Sequence, residues 1–262
     1  MSSDLRPTLL TPRDLHDFHR DGYVVVRGAV ADAQVRAARH AINADLGGRG
    51  VPPDELPAYR SASFCPELRE TEALTDVFNR SVLPRVMDDL LGEGQTPPVG
   101  NAQIALRFPV PPPGGAAWRE SGHLDGVGTG INGTPVGAFT RHFTCLAVVL
   151  LNDLPGPWHG NFTVWPGSHV TAEAFFREAT PEVLRQGHPK YELPREPVQV
   201  TGRAGDAVIT HHQLWHGAAP NYGPDVRYAT IYRPAHRDVA RNGTGVMTDI
   251  WREFAGVRTA VT

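Results

Sequence analysis

The sequence has 262 residues, and its 25 basic and 28 acidic side chains leave a net charge of −3. This balance disfavours nucleic acid and anionic membranes as partners, because both select for a strongly basic surface. Glycine (27) and proline (24) make up about a fifth of the chain, which disfavours a helical bundle and favours short strands joined by loops.

The sequence contains few signals for a cellular compartment. Its two cysteines, Cys65 and Cys145, exclude a disulfide framework. The first residues lack the basic and apolar regions of a secretory leader, and no run of about 18 apolar residues predicts a membrane helix. We therefore expect a cytoplasmic protein without a membrane partner. The oligomeric state has no signature in the sequence.

The N-terminal part is predicted to be mostly helical. Thr11 followed by Pro12 is typical of a helix start, and Tyr23–Val26 has the β-branched residues of a strand. Asp32 is expected to cap the second helix, and Pro84 to kink or break the third. The predicted elements are helices over 12–21, 32–45 and 72–91, a strand over 23–26 and a loop over 47–57.

From Asn101 onward, short strand-like runs alternate with turns. The predicted strands cover 103–108, 143–151, 161–164, 197–200, 206–210 and 226–232, with one helix over 171–185 and long loops over 109–122 and 126–137. Helices followed by many short strands indicate a β-sandwich or barrel with helices added. We expect a single domain over 1–262, with a helical part over about 1–95, a barrel over about 100–235 and a tail over 236–262.

A histidine and an aspartate two residues apart are the first candidates for chemistry. In an extended segment, His123 and Asp125 lie on the same face, where an imidazole and a carboxylate can bind a divalent metal. The alternative is that the two side chains only hydrogen-bond to each other. Because two ligands hold a metal weakly, a third is required from elsewhere.

The third ligand is sought at the end of the strand over 206–210, where His211, His212 and His216 follow each other. His216 stands beside a glycine, which permits close approach to the backbone. His211 and His212, as neighbours, are expected to face opposite sides of a strand, so that one of them can line a pocket. Two histidines and one aspartate are the ligands of non-haem Fe(II) oxygenases, and they leave three metal positions open.

An arginine follows eleven residues after His216. Alternation along the strand puts Arg227 on the same face as Ala229 and Ile231, which points it inward. A buried guanidinium requires an anion, either a carboxylate of the protein or the carboxylate of a ligand.

These residues resemble the iron and 2-oxoglutarate site of the phytanoyl-CoA dioxygenase family. The resemblance rests on His123-x-Asp125, on His216 and Arg227, and on two further segments. Residues 160–169, ending in Pro-Gly-Ser-His, are similar to a glycine-led strand of the family. Residues 21–25, Asp-Gly-Tyr-Val-Val, are similar to its N-terminal opening. The resemblance runs from about residue 12 to 235.

The resemblance implies a mainly β fold with flanking helices, namely a double-stranded β-helix, or cupin-like jelly-roll barrel. His123, Asp125 and His216 would bind Fe(II), and Arg227 would pair with the far carboxylate of the cosubstrate 2-oxoglutarate. Oxygen would be consumed, and ascorbate is expected to stimulate the enzyme. Halogenating relatives replace the carboxylate ligand with a small residue, so Asp125 favours hydroxylation or a related oxidation.

Further residues are candidates for cosubstrate or substrate contacts. Relatives touch 2-oxoglutarate with a polar residue near Gln103, and Thr144 could donate a hydroxyl there. Many relatives carry a serine where this chain has Ala218, which puts that second carboxylate contact in doubt. The candidates for substrate contacts are Trp165, Arg107, His142 and His159. Arg107 could equally contact 2-oxoglutarate or form a surface pair, and Trp165 could fill the core.

The predicted function is a dioxygenase that hydroxylates, or otherwise oxidises, an unactivated C–H bond of a small molecule, with 2-oxoglutarate converted to succinate and CO₂. A substrate from secondary metabolism is favoured, since small members of the family often modify such compounds. The alternative is a cupin-like metal-dependent protein that binds a small molecule or isomerises it without oxygen.

Overall fold

The computed structural model describes residues 8–51, 62–112, 122–128, 135, 143–179 and 191–262. Its helices are α1 (Pro12–Asp21), α2 (Asp32–Arg49), α3 (Glu72–Asn79), α4 (Leu83–Leu91), α5 (Ser168–Glu178), α6 (Val239–Asn242) and α7 (Ala255–Val261). Its strands are β1 (Tyr23–Val26), β2 (Gln103–Arg107), β3 (Cys145–Leu150), β4 (Phe162–Val164), β5 (Val198–Gln199), β6 (Ala207–His211), β7 (His216–Ala218) and β8 (Arg227–Tyr232). None of the described helices is long and apolar enough to cross a membrane.

The strands form two antiparallel sheets. The larger sheet has the order β1-β6-β3-β8-β2, and the smaller has the order β5-β4-β7. Strand β3 lies in the middle of the larger sheet and is buried along its whole length. A two-sheet β core with flanking helices confirms the predicted fold class. Strand β7, which carries His216, was not predicted, because its sequence His-Gly-Ala lacks the β-branched and aromatic residues that are typical of strands.

The two faces of the larger sheet have different partners. Cys145, Ala147 and Val149 of β3 belong to the main core, where they pack with residues of the helices such as Phe78 and Leu90. Val148 points the other way, into a smaller core between the sheets. This alternation follows from the pleat of the strand. Side chains on this second face of the larger sheet therefore point into the space between the two sheets.

The helical predictions are confirmed for α1, where Thr11 and Asp14 form a capping box. Three boundaries were wrong. Ala31, not Asp32, is the N-cap of α2, and α2 continues to Arg49. The predicted break of the helix over 72–91 near Pro84 is present, since the segment forms two helices, and Pro84 lies in the first turn of α4, where a proline costs no hydrogen bond. Helix α5 begins at Ser168, and residues 180–185 lie outside the described part.

The C-terminal segment packs on the N-terminal helices. Helix α7 contacts α1 and α4, and Phe254, just before it, is fully buried beside Phe18, with ring centroids 5.7 Å apart. The predicted tail over 236–262 therefore contributes to the core.

Candidate metal and cosubstrate site

A cavity opens between the two sheets. Its lining comes from the inner faces of β2, β3 and β8, from β4 and β7, and from residues 122–128. Gln103, Ala105 and Arg107 line it from β2, on the strand face opposite the core residue Ile104. The cavity therefore lies where the pleat of both sheets directs side chains inward.

His123, Asp125 and His216 meet at one end of this cavity, and we call them the His–Asp–His group. His123 and His216 exchange two backbone hydrogen bonds of 2.8 and 3.1 Å, which fix the segment 122–128 beside β7. The Asp125 Oδ1 atom lies 3.2 Å from His123 Nε2 and 3.8 Å from His216 Nε2. One ligand atom from each residue lies within 4.8 Å of the other two.

The imidazole of His216 is held in a state that suits a metal. His216 Nδ1 lies 2.9 Å from the carbonyl oxygen of Leu214, so Nδ1 carries the proton and Nε2 presents its lone pair. Burial, with the neighbouring His123, lowers the pKa of His216 to about 4. The ring is therefore neutral at pH 7, as a ligand must be.

The carboxylate is ionised. Burial by itself would raise the pKa of Asp125, but the hydrogen bond with His123 and the positive charge of Arg233 place it well below its usual range. Two imidazole nitrogens and one carboxylate oxygen fit a divalent iron with open positions better than a closed structural zinc site.

Arg233 is a site residue that the sequence reasoning missed. Its Nε and Nη2 atoms donate to Asp125 Oδ2 at 3.2 and 2.9 Å, and its Nη1 donates to Gln103 Oε1 at 2.8 Å. The signal was present, because the alternation that points Arg227 inward continues, through Ala229 and Ile231, to Arg233 one residue beyond β8.

At the other end of the cavity, Arg227 is 5% exposed and donates from Nη1 to the carbonyl oxygen of Ala105 at 3.1 Å. It is the cross-strand neighbour of Arg107, and both line the cavity. Gly160 makes room for them, since a Cβ there would lie 2.8 Å from the Cβ of Arg107 and 3.2 Å from that of Arg227. Ala218 also lines the cavity and offers no hydroxyl.

Three of the predicted contact residues lie outside the set that lines the cavity. The Thr144 hydroxyl hydrogen-bonds to the buried Glu253 at 2.5 Å, so its predicted contact with 2-oxoglutarate is not supported. The His159 ring bonds to the carbonyl oxygens of Pro157 and Gly156 in its own loop. Trp165 is 4% exposed and packs beside Gly122, so it fills the core. His142 lies outside the described residues.

His169, His211 and His212 form a second histidine cluster. The His211 ring centroid lies 5.3 Å from that of His169 and 4.2 Å from that of His212. The expectation that His211 and His212 face opposite sides of a strand was wrong, because β6 ends at His211 and the chain turns at His212. None of the three lines the cavity described above.

The fold and the donor set together define the class of non-haem Fe(II)- and 2-oxoglutarate-dependent oxygenases. The sequence model of the family described as Phytanoyl-CoA dioxygenase (PhyH) matches residues 18–229. The chain belongs to this family, and it is a dioxygenase that uses Fe(II) and 2-oxoglutarate. A comparison with curated proteins finds no match.

Solved structures support the fold. The carbocyclase SnoK from nogalamycin biosynthesis is 20% identical, covering 90% of this chain and 89% of its own, with a TM-score of 0.51. HygX from Streptomyces hygroscopicus, with nickel and 2-oxoglutarate bound, is 19% identical over 87% of each chain, with a TM-score of 0.52. The epimerase SnoN, in complex with Fe³⁺, α-ketoglutarate and nogalamycin RO, is 19% identical, covering 86% and 82%, with a TM-score of 0.53.

Proposed function

We propose that the His–Asp–His group holds Fe(II) and that the enzyme hydroxylates an unactivated C–H bond of a small molecule. The observation that carries this proposal is the convergence of Asp125 Oδ1 with the two Nε2 atoms of His123 and His216 at one end of the cavity. When bound, iron and 2-oxoglutarate supply a two-electron oxidation by O₂, in which the cosubstrate becomes succinate and CO₂.

The far carboxylate of 2-oxoglutarate is assigned to Arg227. This guanidinium is buried in the cavity wall, where a carboxylate can replace the water that the side chain loses on burial. Arg107, directly opposite on β2, adds a second positive charge to the same end of the cavity. Gln103 lies near the metal end, where a polar side chain can contact the other end of the cosubstrate.

The substrate would enter beside the His–Asp–His group. The carboxylate of Asp125 occupies the position that a halide would need, which supports hydroxylation over halogenation. Ring closure and epimerisation use the same metal ligands, so these reactions are variants of the same proposal. A substrate from secondary metabolism is supported by SnoK and SnoN, which act in nogalamycin biosynthesis or bind nogalamycin RO. The two cysteines, Cys65 and Cys145, are buried thiols and not a disulfide, which is consistent with a cytoplasmic location.

The proposal is tested by succinate release. Purified protein is incubated with Fe(II), 2-oxoglutarate, ascorbate and a panel of polar secondary metabolites, and succinate and oxidised product are measured together. We expect release by the wild type and by Asp249→Ala, which removes an exposed carboxylate elsewhere, and none by Asp125→Ala. Equal succinate release by wild type and Asp125→Ala would contradict the assignment of the iron site.

A further inference from the structure

Arg233 contacts the proposed iron ligand Asp125 and the proposed cosubstrate contact Gln103 at the same time. Two of its nitrogens donate to a single oxygen, Asp125 Oδ2, and the third donates to Gln103 Oε1. The planar fork of a guanidinium fixes the geometry of this double engagement, whereas the compact ammonium of a lysine is a point charge without a fixed donor geometry. The Phe143 ring lies 5.9 Å from the guanidinium carbon, within cation–π range, and helps to hold it.

The contact with Arg233 gives the two oxygens of the Asp125 carboxylate different partners. Oδ2 is engaged by the guanidinium, whereas Oδ1 faces the Nε2 atoms of His123 and His216. A carboxylate held in this way offers a metal one oxygen. If both oxygens bound, they would occupy one of the positions that a facial triad leaves open for cosubstrate and oxygen.

The same guanidinium fixes the amide of Gln103. A guanidinium has only donors, so the amide oxygen must be the atom that faces it. The amide nitrogen of Gln103 is then on the other side of the group, and it is a donor suited to an oxygen of 2-oxoglutarate. Gln103 stands at the start of β2 and Arg233 just beyond β8, which are paired strands.

We propose that Arg233 is a positioning residue that restricts Asp125 to one metal-facing oxygen and orients Gln103 toward the cosubstrate. The inference rests on the proposed function, because it assigns a role in relation to the same iron. Arg233 would thereby couple the metal site to the cosubstrate site through one side chain.

The direction in which metal affinity changes when Arg233 is replaced tests this proposal. A positive charge beside a divalent ion repels it, so a residue acting by charge alone would raise metal affinity when removed. Removal of a residue that acts by position would lower metal affinity, because loss of an outer contact to a metal ligand costs about 10- to 100-fold in affinity. The two roles therefore predict opposite changes.

The binding of Co²⁺ is measured by calorimetry without cosubstrate, in the wild type, Arg233→Met, Arg233→Lys and Arg241→Met. Arg241 is an exposed arginine paired with Asp238, so it controls for lost charge. We expect Arg233→Met to lose about 10- to 100-fold, Arg233→Lys to lose less, and Arg241→Met to match the wild type. A thermal unfolding transition of each protein without metal shows that it is folded. If Arg233→Met does not fold, the comparison rests on Arg233→Lys.

The second arm uses Gln103→Leu. We expect this variant to bind Co²⁺ like the wild type but to need more 2-oxoglutarate for half-maximal absorption of its anaerobic Fe(II) complex, and Arg233→Lys to show both defects. Unchanged or increased Co²⁺ affinity in both Arg233 variants would overturn the inference and leave the iron site standing. Wild-type Co²⁺ binding that survives in Asp125→Ala would instead overturn the proposed function.

Discussion

Among the residues that the structure describes, two groups of histidines pack ring against ring, and one of them is arranged to bind a metal. In the His–Asp–His group, the rings of His123 and His216 lie 4.6 Å apart with a carboxylate oxygen between their Nε2 atoms. In the second histidine cluster, the three rings pack at similar distances. Among the described residues, only the first group brings three ligand atoms within 4.8 Å of one another.

The hydrogen bonds of His211 explain the difference. Its Nδ1 accepts from the backbone N–H of Gln213 at 3.0 Å, so its Nε2 carries the proton and donates to the carbonyl oxygen of Ile250 at 3.0 Å. Both nitrogens are thus used within the protein. The ring also stacks on Phe254, with centroids 4.9 Å apart. His211 therefore fastens the C-terminal segment through Ile250 and Phe254, and its ring has no lone pair left for a metal.

The largest expected effect comes from removing the carboxylate of Asp125, which distinguishes the His–Asp–His group from the second histidine cluster. Asp125→Ala should abolish turnover of 2-oxoglutarate and most of the Co²⁺ affinity, because two imidazoles alone hold a divalent ion weakly. Succinate assays and calorimetry measure the two effects. The apo variant should still unfold cooperatively, and turnover close to the wild-type rate would contradict the role of Asp125.

The second prediction concerns the second histidine cluster, where a substitution should change the free energy of unfolding but not metal binding. Phe254→Ala should lower the free energy of unfolding by about 3–5 kcal/mol, because it removes a fully buried ring that packs on His211 and Phe18. Urea denaturation measures the loss. Co²⁺ affinity should be unchanged at a temperature where the variant is folded. A loss of affinity with little loss of stability would show that the second cluster supports the metal site directly.

The third prediction uses pH. Burial lowers the pKa of His169 to about 4, whereas the unfolded chain protonates it near 6.5. Between these values the unfolded state binds more protons, so stability falls as the pH falls, by about 3 kcal/mol in all for this residue. The free energy of unfolding of apo protein, measured from pH 7 to 4, should fall less steeply in His169→Gln. His40→Gln, at an exposed position, should keep the wild-type slope, and identical slopes in all three proteins would contradict the prediction.

The smallest expected effect lies at the far end of the cavity. Arg227→Met removes charged hydrogen bonds worth about 1.5–3 kcal/mol, so the 2-oxoglutarate concentration for half-maximal turnover should rise roughly 10- to 100-fold. Metal affinity without cosubstrate should be unchanged. Steady-state kinetics at varied 2-oxoglutarate measures the shift, and a normal requirement for the cosubstrate would remove Arg227 from the site.

Local patterns in the sequence were sufficient for much of the fold. The capping residues of α1, the β-branched run of β1 and the alternation in β8 are short-range features, and the structure contains all three. The spacing of His123 and Asp125 was also a local feature. The structure brings these two residues together with His216, ninety residues away, through the pairing of residues 122–128 with β7.

Other features depended on tertiary contacts. Thr144 was assigned to the cavity from its place at the start of a strand, but Glu253, more than a hundred residues later, binds its hydroxyl. The turn after β6 that stacks His211 on His212 has no pattern that distinguishes it from a longer strand. Arg233 was readable from the alternation of β8, but only its contacts with Asp125 and Gln103 indicate a role.

The most direct test of the central claim is an anaerobic titration with Fe(II) and 2-oxoglutarate, followed by visible absorption. If the His–Asp–His group holds the iron, wild type and His169→Gln should develop the same metal-to-ligand absorption band at the same Fe(II) concentration, and Asp125→Ala, in chloride-free buffer, should need far more Fe(II) to develop it. A band that forms in Asp125→Ala at the wild-type Fe(II) concentration, or that is lost in His169→Gln while that variant is folded, would contradict the account.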